Sequence, residues 1–63
     1  MIYYDETNKN EAYEELKRRG VISDLLIMEI NKEIPQEEKV FGQPMLDVAN
    51  YMRNNDLFLG YNN

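Results

Sequence analysis

Three breaks, at Gly20, at Pro35 and at the Gly42-Gln43-Pro44 step, cut this chain into short segments. Glycine readily takes the left-handed position that ends a helix, and proline either opens a helix or forbids its continuation. Between the breaks the apolar residues recur every three or four positions. The chain is therefore predicted to form short helices joined by turns.

The first helix is expected to begin near Asn8, with Glu11 three residues on in the manner of a capping box, and to stop at Gly20. Val21 is then placed to fold back onto Leu16. Its apolar stripe, Ala12, Tyr13 and Leu16, is narrow, which suits a helix on the outside of the fold. Glu14 and Arg18, and Glu15 and Arg19, stand four apart in the favourable order for surface ion pairs.

Ser23 is a good N-cap for the second helix, and Ile22 and Ile27 have the spacing of a hydrophobic staple. The helix should run to Glu33, because Pro35 disfavours helical geometry at Ile34. At about 100° per residue, Leu26, Ile27, Ile30 and Ile34 share one broad face, while Leu25 and Met28 point elsewhere. So much apolar circumference makes this helix either the buried centre of the domain or an interface.

Residues 35–42 suit a single helical turn, with proline first, acids early and glycine last. Pro44 then opens the third helix, whose stripe is Met45, Val48, Ala49 and Met52, flanked by Leu46 and Tyr51, with fraying at Asn54-Asn55. The apolar ends, Ile2-Tyr3-Tyr4 and Leu57-Phe58-Leu59-Gly60-Tyr61, pack on this assembly, or pair as a small two-stranded ribbon. The expected architecture is a single all-α domain over residues 1–63: a small three-helix bundle with one extra helical turn.

Chemistry narrows the functional classes. The chain has no histidine and no cysteine, so it lacks the usual general base at neutral pH, the thiol nucleophile, disulfides and the commonest transition-metal ligands. No stretch has the alternating oxygen ligands, central glycine and closing glutamate of a calcium loop. The carboxylates Glu11, Glu14 and Glu15 match the dipole of the first helix, with Lys17, Arg18 and Arg19 at its other end. No enzyme, cofactor or metal role is expected.

Twelve acids against seven bases leave a net charge of −5, spread over the whole chain. Direct nucleic-acid binding is not expected, because the helix after Gly42 carries one arginine and one aspartate where a reading helix needs positive charge. The longest apolar run, Leu25-Leu26-Ile27-Met28, is too short to span a membrane, and the acidic start is unlike a signal peptide, so the expected location is cytoplasmic.

A chain of 63 residues buries only about 60% of its unfolded surface, and small folds often add self-association or a partner. Large apolar residues are nonetheless in surplus. Leu25, Met28, Tyr51, Leu57, Phe58, Leu59 and Tyr61 are the candidate protein-contact residues, with Leu25 and Met28 at the contact of a possible homodimer. For the C-terminal members the other reading is that they fold back and complete the core. The composition, small, acidic and rich in asparagine, glutamate and lysine, is similar to that of short regulatory or inhibitory proteins of bacteria and their phages. The expected function is a non-enzymatic interaction module, a small acidic regulator or inhibitor that occupies a surface of a larger partner. The alternative is a nucleic-acid-related role, as an acidic mimic or a weak direct binder.

Overall fold

The computed structural model of the chain describes residues 4–55. They form an all-α bundle of three helices, α1 (Lys9–Arg18), α2 (Asp24–Glu33) and α3 (Pro44–Asn54), with 3₁₀ turns at Glu6–Asn8 and Gln36–Glu38. No strand occurs among the described residues. Ile2, Tyr3 and the segment Leu57–Tyr61, and with them the two-stranded ribbon, lie outside the described residues.

The breaks act as the sequence implies. Gly20 adopts φ +87°, and the Gly20 and Val21 amides donate to the Lys17 and Leu16 carbonyls at 3.0 and 2.9 Å. This is a Schellman turn; it satisfies two carbonyls of the last helical turn and sends Val21 into the core beside Leu16. Ser23 caps α2, its Oγ accepting from the Leu26 amide at 3.2 Å. The helix ends at Glu33, where Ile34 turns extended (φ −77°, ψ 127°) ahead of Pro35. Gly42 (φ +69°) reverses the chain, and Pro44 takes the first position of α3.

The start of the first helix differs from expectation. Asn8 does not cap α1 with its side chain. Its Oδ1 accepts from the Asp5 amide at 2.6 Å, while Asp5 Oδ1 accepts from the Thr7 amide and hydroxyl at 2.9 and 2.6 Å. The capping box thus belongs to Asp5 and Asn8, one turn earlier. Asp5 is the stronger nucleus because its acceptor serves two donors and its charge lies at the positive end of the helical stretch.

The centre of the molecule is α3, not α2. Every residue from Leu46 to Met52 is buried. Met45, Val48, Ala49 and Met52 form the expected stripe, and α3 packs on both α1 and α2. Its back is covered as well, through two polar side chains that bind main chain instead of water. Asp47 Oδ1 accepts from the Phe41 amide at 2.9 Å, which holds the 35–43 connection against the helix. Asn50 accepts from the Tyr4 amide and donates to the Tyr4 carbonyl, both at 2.9 Å, and donates again to the Leu46 carbonyl at 3.0 Å. The carboxamide pairs with Tyr4 as a strand neighbour would, and the Arg53 guanidinium lies 5.2 Å from the Tyr4 ring centroid. Leu46 and Tyr51, expected to flank the stripe as surplus apolar residues, are therefore inside, Tyr51 at 8% exposure.

The ion pairs of α1 also rearrange. Glu15 is buried and receives both Arg18 and Arg19, while Glu14 pairs with Lys17 at 3.7 Å instead of with Arg18. Glu15 stands one residue before Leu16 and three after Ala12, so it rides the edge of the buried stripe, where a carboxylate has to be neutralised locally.

Candidate functional site

The core draws on only one side of α2. Ile27 and Ile34 are buried and Ile30 packs partly against the core, a single arc at about 100° per residue. Leu25 is 72% exposed, Leu26 41% and Met28 46%. Leu26, expected to share one apolar face with Ile27, Ile30 and Ile34, lies at the edge of that face and is left to solvent because α3 meets the arc centred on Ile27 and Ile34.

Ile22 joins them. It has the spacing of a staple with Ile27, but it is 77% exposed while Ile27 is buried. The Schellman turn sends Val21 inward, and Ser23 is extended (φ −145°, ψ 156°). Successive residues of extended chain face opposite sides, so Ile22 points out. The result is an apolar surface over the entry and first half of α2, formed by Ile22, Leu25, Leu26 and Met28. These side chains together expose a few hundred square ångströms, a size at which an apolar patch on a monomer is often functional. Beyond it the same side of the helix is polar, with Glu29, Lys32 and Glu33 exposed and Lys32 Nζ 3.7 Å from Glu29.

Of the candidate contact residues, Leu25 and Met28 are therefore brought together on this surface. Tyr51 is not: it is buried, on α3. Leu57, Phe58, Leu59 and Tyr61 lie outside the described residues. Ile22 and Leu26 are members that sequence reasoning did not place among the contact candidates. The available signal for Ile22 was its neighbour, since only one of Val21 and Ile22 can follow the glycine turn into the core.

A concave feature lies on the back of α3. It is a groove of about 400 Å³, with Val40, Phe41, Asn50, Tyr51 and Asn54 among its lining residues. Among the described residues no group of three or more acidic, histidine or cysteine side chains gathers to hold a metal ion, and no helix is long and apolar enough to cross a membrane.

No protein-family model matches the chain, and neither a curated protein nor a solved structure shows significant similarity to it.

Proposed function

We propose that this protein is a non-enzymatic interaction module that works by occupying a surface of a larger protein, with the first half of α2 as its contact face. The observation that carries this reading is the placement of Ile22, Leu25, Leu26 and Met28: four large apolar side chains, all exposed, three on the first half of a capped helix and Ile22 at its entry. Removing them from water is the strongest attraction the described surface offers.

Charge defines the kind of partner. Asp24, Glu29 and Glu33 surround the patch, Lys32 is engaged with Glu29, and the chain carries −5 overall. The complementary surface is an apolar cleft with a basic rim, on a protein large enough to present one. A regulator or inhibitor of that larger protein fits this arrangement. Nucleic-acid mimicry is the weaker reading, because a mimic needs a free row of carboxylates. Here Glu6, Glu14 and Glu29 each pair with a lysine and Glu15 with two arginines.

The test compares affinity capture from native lysate by three forms: the natural chain, Leu25→Glu, and Glu11→Gln on the exposed side of α1. The reading expects one protein retained by the first and third forms and lost by the second. Equal retention by all three, or recovery of nothing but further copies of the chain, contradicts it; the latter makes the patch a homodimer interface.

A further inference from the structure

We propose that Met28 is a peroxide-sensitive switch on α2: oxidation of its sulfur to the sulfoxide makes the contact face polar and weakens docking, and reduction restores it. The effect on docking rests on the reading of α2 as the contact face; the site of oxidation does not. The chain has no cysteine, so methionine carries all its sulfur and is its chief target for a two-electron oxidant. Three of the four methionines lie among the described residues, each in a different environment. Met52 is fully buried, Met45 is partly buried against the core, and Met28 is 46% exposed. A peroxide reaches Met28 from solvent, whereas it reaches Met52 only when the fold opens.

Hydrogen peroxide is a sufficient oxidant. A sulfur lone pair attacks one peroxide oxygen, the S–O bond forms as the O–O bond breaks, sulfur gives up two electrons, and the second oxygen leaves as water. A methionine sulfoxide reductase reverses the step with a thiol reductant: two thiols become a disulfide and the sulfoxide oxygen leaves as water.

The position of Met28 turns this chemistry into a change of surface. At about 100° per residue it lies about 60° from Leu25, on the same side of α2, and about 160° from Ile30. Leu25 is exposed and Ile30 packs on the core, so the modified side chain belongs to the outer face. Oxidation replaces a flexible apolar side chain by one with a strong hydrogen-bond acceptor. An apolar cleft that covers it leaves that oxygen without a donor, which penalises docking. The core is untouched, so the fold survives while the contact is lost.

The test treats the full chain and Met28→Leu with hydrogen peroxide and maps the sulfoxide by trypsin digestion and mass spectrometry. Residues 20–32 contain Met28 alone, residues 40–53 contain Met45 and Met52, and residues 1–9 contain Met1, so the peptides separate the sites. Sulfoxide is expected in residues 20–32 about tenfold faster than in residues 40–53, with helical circular dichroism retained. An equal or slower rate, or loss of the helical signal, overturns the proposal. Binding is then read on a phenyl resin in ammonium sulfate and by capture from native lysate. The oxidised natural chain is expected to elute earlier and to retain about tenfold less of the captured protein than the untreated chain, while treated Met28→Leu changes in neither. Reductase with dithiothreitol should restore both readouts. Unchanged elution or capture, the same loss in Met28→Leu, or failure of the reductase to restore binding overturns the switch. If the untreated chain captures no protein, the contact-face reading itself fails and the switch falls with it. That outcome is distinct from one in which a captured protein stays bound after oxidation, which refutes the switch alone.

Discussion

Gly20 carries a conformational load that no other residue type can take over cheaply. At φ +87° an added Cβ meets nothing within 4 Å, so the cost of Gly20→Ala is purely that of the left-handed backbone. That cost is about 1 kcal/mol, which in a domain of this size lowers the melting temperature by roughly 4–8 °C. Asn50 has a different kind of load, since its carboxamide both accepts and donates. Asn50→Ala leaves the Tyr4 amide and carbonyl without their partner and is expected to cost about 1–3 kcal/mol in chemical denaturation. Asn50→Asp should rescue little, because a carboxylate accepts from the Tyr4 amide but cannot donate to the Tyr4 and Leu46 carbonyls. Amide exchange at Tyr4 reports both variants directly. Asp5 adds a pH dependence. Hydrogen bonds from the Thr7 hydroxyl and amide hold its carboxyl below the ordinary value of 3.8. Its contribution is therefore fully present above about pH 4 and is lost as the pH falls through the lower native value. A carboxyl titration followed by NMR should show the Asp5 midpoint below 3.8, and Thr7→Ala should move it back up.

Among the elements, α2 shows most clearly how one helix serves two purposes. Ile27 and Leu25 lie two residues apart, one buried and the other 72% exposed. Ile27→Ala should cost about 2–5 kcal/mol, comparable to the whole stability of so small a domain, and abolish the helical circular dichroism at physiological temperature. Leu25→Glu should leave the melting curve within about 0.5 kcal/mol of the natural chain. The boundaries of this helix were legible from sequence because Ser23 and Pro35 act on their immediate neighbours. The same locality explains Gly20, Gly42 and Pro44. Which side of α2 faces in was only half legible, because the spacing of Ile27, Ile30 and Ile34 is local while the fate of Leu26 depends on where α3 lies. The central position of α3 was not legible at all. It depends on Asp47 and Asn50, which read as surface residues until the main-chain groups of Phe41 and Tyr4 arrive from elsewhere in the chain. The earlier capping box at Asp5 was missed for a simpler reason: the helical pattern proper starts only at Lys9, and a three-residue turn has no periodicity to detect.

For the molecule as a whole, the balance is between a small core and a surplus of apolar surface. The core is built on α3 and consumes Tyr51 and Leu46, which sequence reasoning left near the surface; it does not consume Ile22, Leu25, Leu26 or Met28. Those four side chains, apolar in the midst of an acidic chain, are the basis for reading the protein as a module that docks on another. Photo-crosslinking in the cells that make the protein tests this most directly. A benzophenone amino acid is placed at Leu25 in one form and at exposed Glu11, on α1, in another. The account predicts that the Leu25 probe captures a distinct protein, in an adduct heavier than two copies of the 7.5 kDa chain, and that the Glu11 probe does not. It is contradicted if the Leu25 probe captures nothing, if it yields only a pair of chains, or if the Glu11 probe captures the same protein equally well.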